Sequence, residues 1–532
     1  MPISTINKDL CNGCGLCVDT CPEDVFRLNT QPIEKELLSP CATGCPASLS
    51  VRRYSYLVEM DETEEAYKLM REYIPFPAIT GRVCPHPCES KCARCEVDSA
   101  VNINCLERYI ADKYLYEKAE PQKVIYLAKA AVIGSGPAGL SCAYYLSRKG
   151  YAVTVFEKRE FPGGMLRYGI PAFRLDKEVL DIEIQYLKDM GVTFKTNVAF
   201  GTDITLEELQ KEYPAVFLAV GTQISRKVKT EGTALAGTAG AFDYLTAVNA
   251  GENPDTPERA VVIGGGNVAM DAAMTLKKRG AKKVTVICLE SRKEMPAFDK
   301  EIEAAESEGV ELLCGYGPAR VTGTDGRVSG IDVIACTRVK DLTGKFAPLY
   351  DESISMHIDA DMVCFAIGQG VDLTGMPEGL AVSASGMIQA DKLTKETSLP
   401  GVFAGGDAVS ASDGSVAAAF AAGKEAAESM DRYLRGADVR EGRVDATVRL
   451  MNPPKASVPK FPRTEPSDKD GVYTDNEARV EAQRCMTCGS RAEITYPQDC
   501  MVCLYCEREC PQKAITVTPD RPGKRIAPWD LA

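Results

Sequence analysis

One cysteine pattern occurs twice, at opposite ends of the chain. Cys11-x2-Cys14-x2-Cys17-x3-Cys21-Pro22 has the same spacing as Cys500-x2-Cys503-x2-Cys506-x3-Cys510-Pro511. The segments that follow also match, EDVFRL after the first and QKAITV after the second. This is the spacing of a cubane 4Fe–4S cluster. Three thiolates on a tight loop hold three irons, and the Cys before Pro ligates the other cluster of a two-cluster ferredoxin. Each end therefore reads as half of a ferredoxin-like module. If the halves meet, Cys11, Cys14, Cys17 and Cys510 hold one cluster, and Cys500, Cys503, Cys506 and Cys21 hold the other. Two separate one-cluster modules remain an alternative. Zinc fits poorly, because this is not zinc-ribbon spacing.

The rest of the composition supports metal over disulfides. Of 22 cysteines in 532 residues, 17 lie before residue 110 or after residue 480. Cys142, Cys288, Cys314, Cys336 and Cys364 stand apart in the middle and read as small buried hydrophobes. The N-terminus MPISTINKDL lacks the pattern of a signal peptide. No apolar run approaches the roughly 20 residues of a membrane span. We therefore expect a cytoplasmic chain with metal-binding thiols. Its net charge of −13 disfavours nucleic acid and anionic membranes. Only His86 and His357 are present, which argues against a histidine-rich metal site or a Ser-His-Asp hydrolase.

Residues 31–120 show helical periodicity interrupted by Cys-Pro loops. From about 124 to 440, short apolar runs alternate with helical patterns, as in parallel α/β layers. The runs KAAVIGSG, YAVTVFEK, AVFLAVGT, RAVVIGGG, KKVTVICLE, DMVCFAIGQ and GVFAGGD suit strands buried on both faces. Residues 441–480 are rich in Pro and charge and read as an extended strap.

A second cysteine set is less regular: Cys41-x3-Cys45-Pro46, GRVCPHPCESKC with Cys84, Cys88 and Cys92, and EAQRCMTCG with Cys485 and Cys488. With FPGGMLRYGIPAFRL and two Gly-rich loops, these segments resemble the small (beta) subunit of glutamate synthase and its relatives. Those include the iron–sulfur and flavin portion of dihydropyrimidine dehydrogenase and the large subunit of the NADH-dependent ferredoxin:NADP⁺ oxidoreductase. The resemblance covers about residues 35–440 and 481–489. The family's N-terminal C-x2-C is absent before Cys41, and RCMTCG looks like that half moved to the C-terminus. The resemblance implies one cluster on Cys485, Cys488, Cys41 and Cys92. A second would take Cys45, Cys84, Cys88 and Glu107, with Cys95 and Cys105 as competing fourth ligands. If Cys485 and Cys41 share a cluster, the chain ends must converge.

Gly134-Ser135-Gly136-Pro137-Ala138-Gly139 lies between a strand and a helical stretch, with Glu157 ending the next strand. This is a dinucleotide loop: its glycines let the backbone approach a pyrophosphate at a helix N-terminus, and the acid binds ribose hydroxyls. The resemblance implies FAD there. It also implies FAD contacts from Gly164 and Met165 in the FPGGM segment and from Gly406 and Asp407 in GVFAGGDA. Ser415 and Val416 would begin a helix aimed at the flavin pyrimidine. A second loop, Gly264-Gly265-Gly266-Asn267-Val268-Ala269, implies an inserted NAD(P) domain. AVGT (219–222) and AIGQ (366–369) resemble the crossovers between the two domains. Glu290 could bind a free 2′-hydroxyl and favour NADH, whereas Arg292 and Lys293 could grip a 2′-phosphate. The family resemblance favours NADP(H), with NAD(H) as the alternative.

The expected fold is thus an α/β two-dinucleotide-binding flavoprotein with a helical iron–sulfur domain and a ferredoxin-like module built from both termini. Expected boundaries are 1–30 and 496–532 for the ferredoxin halves and 31–123 for the helical domain. The FAD domain takes 124–255 and 376–440, and the NAD(P) domain 256–375. The strap is 441–480, and 481–495 returns to the helical domain. The expected function is electron transfer between NAD(P)H, FAD and four 4Fe–4S clusters, with no catalytic acid–base residue. The expected partners are other redox subunits or ferredoxin, and an electron-bifurcating transhydrogenase of an anaerobe is one instance. The alternatives are a free-standing ferredoxin:NAD(P)⁺ reductase, a glutamate synthase small subunit, an electron relay with a dead nucleotide site, and a dithiol reductase.

Overall fold

All seven apolar runs form strands in the computed structural model: Lys129–Ile133, Ala152–Phe156, Ala215–Leu218, Arg259–Ile263, Lys283–Cys288, Met362–Phe365 and Val402–Ala404. The structure describes residues 3–7, 10–11, 16–22, 25–29, 37–226, 228, 230–409, 414–443, 449–450, 459–468, 471–488, 491–494, 500 and 503–518. Two units are distinguished. One comprises Met1–Glu117, Ser415–Ala421 and Gly442–Ala532; the other comprises Lys118–Gly414 and Ala422–Glu441.

The second unit holds two parallel five-stranded sheets. One runs in the order Val402–Ala404, Ala215–Leu218, Lys129–Ile133, Ala152–Phe156, Thr193–Lys195. The other runs Glu311–Cys314, Lys283–Cys288, Arg259–Ile263, Met362–Phe365, Thr238–Gly240. Their central strands are buried on both faces: helices such as Pro137–Arg148 and Asn267–Lys278 cover one, and Val321, Ile331 and Val333 pack on the other face of the second sheet. The chain crosses between the domains where Ile224–Ser225 pairs antiparallel with Gln369–Gly370, beside the expected crossovers.

The expected domain boundary at residue 255 is corrected. Thr238–Gly240 belongs to the second sheet, and Ala241, Tyr244 and Leu245 pack into its core with Met270 and Ala273. That strand is a three-residue, half-buried TAG, too short and too polar to show as an apolar run. An antiparallel sheet of Tyr316–Thr324, Arg327–Lys340 and Phe346–Asp359 was also not anticipated. Its first hairpin turns at Asp325-Gly326, both at positive φ, which is the expected chemistry of a two-residue turn.

In the first unit the two ends of the chain pair. Ile3–Ile6 runs antiparallel to Ile515–Thr518, and Phe26–Asn29 runs antiparallel to Arg491–Ile494. The helices Leu16–Thr20 and Tyr505–Glu509 occupy equivalent positions of the repeat. Cys17, Val25 and Phe26 share one core with Cys506, Cys510, Ile515 and Val517. Among the described residues the two halves share this one core, so each completes the other.

The helical part contains Val51–Glu59, Thr63–Tyr73, Pro77–Val83 and Ile103–Lys113. Tyr54, Met70, Phe76, Ile79, Leu106 and Ile110 are fully buried among them. The helices Pro77–Val83 and Ile103–Lys113 approach closely, because a Cβ on Gly81 would lie 2.9 Å from the Arg108 Cα. The strap reading of 441–480 needs one correction: the helix Asp475–Ala482 begins inside it. Thr474 and Glu477 form its capping box, a signal present in the sequence as T-x-x-E.

Candidate functional site

Cys41, Cys92, Cys485 and Cys488 line one cavity of ≈ 350 Å³ together with Ser39 and Arg52. Cys41 lies in the short helix Pro40–Gly44, and Cys485 and Cys488 follow the helix Asp475–Ala482. Burial pushes the thiols of Cys41 and Cys488 up to about 11 and about 12, and raises those of Cys485 and Cys92 as well. Ser39 Oγ lies 3.3 Å from Cys41 Sγ.

The returning segment is fastened by a buried arginine that sequence reasoning missed. Arg484 is 1% exposed; it binds Glu481 at 2.7 Å, Asp98 at 2.9 Å and the Ser99 carbonyl at 2.8 Å. Arg94 donates to the Arg484 carbonyl at 2.8 Å and pairs with Asp98 at 2.7 Å. Glu481 also accepts from the backbone N–H groups of Asn102 and Thr464, both at 2.7 Å. Buried charges demand such pairing. The lone signal for it in the sequence was an Arg directly before a cysteine motif.

Cys45, Cys84, Cys88 and Glu107 face one another in a second group. Burial raises all three thiols, and the Glu107 charge raises each further. Glu107 is 3% exposed, accepts from Thr80 Oγ1, and is pushed up to about 7 by burial. Cys95 is exposed, with its thiol 3.7 Å from the Glu89 carbonyl. Cys105 faces Glu89, Arg463 and Glu465. Of the three candidates for a fourth ligand, Glu107 is the one brought to the three thiols.

Cys21, Cys500, Cys503 and Cys506 line a cavity of ≈ 300 Å³ with Pro22, Phe26, Leu504 and Val517. Burial pushes Cys506 up to about 12, and Cys21, Cys503 and Cys500 add to the effect. Cys17 and Cys510 are buried in the same small core, with Cys11 packed against it. Cys14, the remaining member of that group, lies outside the described residues.

Cavities lined by thiols from separate backbone segments fit a polynuclear cluster. Soft thiolates are its preferred donors, and metal charge offsets the burial that otherwise keeps them protonated. Among the described residues, no three Cys, His, Asp or Glu side chains converge on a single ion. Of the five mid-chain cysteines, Cys142, Cys288 and Cys364 are buried as expected, while Cys314 and Cys336 are half-buried.

The first Gly-rich loop has the geometry of a nucleotide cradle. Gly134, at φ +98, lets the chain pass the Ala219 carbonyl, where a Cβ would lie 2.5 Å from the oxygen. A Cβ on Gly139 would lie 2.0 Å from the Gly134 carbonyl oxygen, so only glycine closes the helix onto the loop. Gly136 faces open space, with nothing within 4 Å of where its Cβ would stand. Pro137 and Ala138 open the helix Pro137–Arg148. Glu157 accepts from the Ser135 and Arg159 backbone N–H groups at 3.0 and 2.9 Å, which braces the loop. With Gly134, Lys158, Gln223 and Asp372, Glu157 lines a cleft of ≈ 780 Å³. Gly164 sits against the loop: its Cβ would lie 2.7 Å from the Gly136 Cα, and Met165 starts the short helix beside it. Gly406 and Asp407 form a single 3-10 turn, with Gly406 close to Ala138. Val416 begins the helix Val416–Leu434, and Ser415 Oγ accepts from the Ala418 N–H at 3.2 Å.

The second loop repeats this design. Gly264, at φ +137, passes the Ala366 carbonyl, and Gly266 faces open space. Asn267, Val268 and Ala269 form the first turn of Asn267–Lys278, and Asn267 Oδ1 accepts from the Phe298 N–H at 2.9 Å. Glu290 reaches back to this loop: its Oε2 lies 3.0 Å from where a Gly265 Cβ would stand. Arg292 turns to Glu306 at 2.9 Å and Asp299 at 3.7 Å, and Lys293 is exposed.

Residues 128–426, more than half of the chain, match the family described as pyridine nucleotide-disulphide oxidoreductase. The chain belongs to that family. Residues 37–119 match dihydropyrimidine dehydrogenase domain II, 4Fe-4S cluster, and residues 4–27 match the 4Fe-4S binding domain. The NADP(+)-dependent formate dehydrogenase subunit beta of Moorella thermoacetica is 34% identical over 85% of this chain and 70% of its own length. The glutamate synthase [NADPH] small chain of Azospirillum brasilense is 35% identical over 74% of this chain and 86% of its own. The chain spans 60% of the length of other curated relatives. FprA of Mycobacterium tuberculosis shares the fold, with a TM-score of 0.52 at 19% identity over 58% of this chain and 85% of that one. The protein is an NAD(P)H-dependent FAD and iron–sulfur oxidoreductase of the α/β two-dinucleotide class with ferredoxin-type 4Fe–4S domains. Among the described residues, no helix is long and apolar enough to cross a membrane.

Proposed function

We propose that this chain is the nicotinamide-oxidising subunit of a cytoplasmic redox complex, passing electrons through four clusters to ferredoxin or another redox subunit. The observation that carries the reading is the pairing of Ile3–Ile6 with Ile515–Thr518 and of Phe26–Asn29 with Arg491–Ile494. It builds a second cluster-bearing module that hydride transfer alone does not require. FAD held by the first Gly-rich loop would supply the conversion between two-electron hydride chemistry and the one-electron chemistry of the clusters.

The residues of the chain bind and orient these groups. Gly136 and the N-terminus of Pro137–Arg148 offer backbone N–H groups to a pyrophosphate, and Glu157, Gly164, Met165, Gly406 and Asp407 would hold the rest of the FAD. The four cluster sites are Cys41, Cys92, Cys485 and Cys488; Cys45, Cys84, Cys88 and Glu107; Cys21, Cys500, Cys503 and Cys506; and Cys11, Cys14, Cys17 and Cys510. No proton-transfer side chain is needed. His86 Nε2 is engaged by Asn104 and His357 Nδ1 by Asp332, both at 2.7 Å.

The proposed reductant is NADPH, which the names of several relatives carry, with Arg292 and Lys293 toward the 2′-phosphate. A second reading, NADH, is favoured by Glu290 lying against the loop and Arg292 being bound to Glu306. Anaerobic gel filtration of native extract, followed by NADPH-dependent dye reduction, tests the subunit proposal. Co-elution with further redox subunits supports it. Activity eluting at the size of this chain alone overturns it in favour of a free-standing ferredoxin:NAD(P)⁺ reductase.

A further inference from the structure

The two cysteine groups of the helical part differ in the charges that stand beside their ligands. Beside Cys45, Cys84, Cys88 and Glu107 lies Glu89, which also faces Cys92 and is paired with Arg463 at 3.0 Å. The cavity of Cys41, Cys92, Cys485 and Cys488 instead has a guanidinium in its wall. Arg52 opens the helix Val51–Glu59 and is 2% exposed. Its Nη1 donates to the Cys488 carbonyl at 2.9 Å, which fixes the guanidinium beside the thiols. The sulfur atoms of Cys41, Cys485 and Cys488 are the foremost groups that favour its charge. Arg94 also lines this cavity, and its guanidinium pairs with Asp98 at 2.7 Å.

We propose that Arg52 sets the reduction potential of the cluster held by Cys41, Cys92, Cys485 and Cys488, by placing a buried positive charge beside it. The proposal rests on the ligand assignment given above. Reduction adds one negative charge to the site, and a fixed cation in a low-dielectric wall attracts it more strongly than the same cation would across water. Cluster potentials follow local charge and hydrogen bonding to the sulfurs. The Arg52 charge therefore makes its own cluster more easily reduced than the same ligands would without it. Arg52 is a positioning residue, for it touches the ligands rather than the reacting groups.

The test is an EPR-monitored redox titration of the full-length protein, prepared without oxygen. The signal lost in Cys485→Ser identifies the cluster. In Arg52→Gln that signal titrates at a lower potential than in wild type while the other signals stay in place, and Arg52→Lys stays close to wild type. An unshifted midpoint in Arg52→Gln overturns the proposal, as does an equal fall in Arg52→Lys. Loss of iron from Arg52→Gln but not from Arg52→Lys makes Arg52 a structural support and also overturns it. If Cys485→Ser keeps all its iron and every signal, the ligand assignment has failed, which is a separate result.

Discussion

Gly136→Ala separates binding of the flavin from stability of the fold. Gly136 has φ −70 and ψ 178, extended backbone that alanine adopts freely. Its added methyl would meet nothing within 4 Å. The flavin-free variant should thus be as stable as wild type, or more stable by up to about 1 kcal/mol through the stiffer unfolded chain. The same methyl occupies the space where a pyrophosphate approaches the N-terminus of Pro137–Arg148. Losing one charge-assisted hydrogen bond there costs about 1.5–3 kcal/mol. At 1.4 kcal/mol per factor of ten, FAD binding weakens about 10- to 100-fold. The assay strips both proteins of flavin, compares their thermal unfolding, and titrates FAD back by fluorescence quenching. FAD affinity equal to wild type would refute the cradle, and a flavin-free variant melting well below wild type would refute the open space around Gly136. Gly139→Ala is the contrasting case: its Cβ would lie 2.0 Å from the Gly134 oxygen, so fold and flavin are lost together.

Three further outcomes are expected. Arg484→Met leaves the fully buried Glu481 without its cation, held only by the Asn102 and Thr464 N–H groups, and leaves Asp98 to Arg94 alone, a loss of up to about 3–5 kcal/mol for a broken buried ion pair. It should release the returning segment and remove about four iron atoms per chain; unchanged iron and unchanged protease sensitivity near residue 485 would contradict this. Glu290→Gln should raise kcat/KM for NADPH relative to NADH if Glu290 bears on the 2′ position, and an unchanged ratio of the two would remove Glu290 from coenzyme selection. Lys177 is lowered to about 8 by burial, with Arg167 beside it, while its ammonium donates to the Leu166 and Ile170 carbonyls. An unfolded lysine keeps its proton up to about 10.4. Between those values the unfolded state binds more protons, so the stability of wild type relative to Lys177→Met rises with pH, by about 3 kcal/mol at most. A pH-independent difference in denaturant unfolding would contradict that.

Much of the site was readable because its chemistry demands fixed spacing. The repeated cysteine motif led to the expectation that the two halves meet, and the pairing of residues 3–6 with 515–518 and of 26–29 with 491–494 brings them together. The central strands showed as apolar runs because both of their faces are packed, those of the second sheet by helices on one side and by the antiparallel sheet on the other. Thr238–Gly240 did not, because a three-residue edge strand needs no apolar run. The sheet of residues 316–359 was missed because its outer strand is largely exposed and alternates weakly, although Asp325-Gly326 marked its first turn. Arg484, Glu481 and Asp98 were illegible for a different reason. Their partners lie far apart in the chain, and a single arginine has no period.

The account stands on four clusters assembled from both ends of one chain. Iron, acid-labile sulfide and flavin per chain, measured on protein purified without oxygen, test it most directly. Four cubanes and one FAD predict about 16 iron, about 16 sulfide and about one flavin. A value near eight iron would contradict the account and show that half of the cysteine groups serve some other purpose.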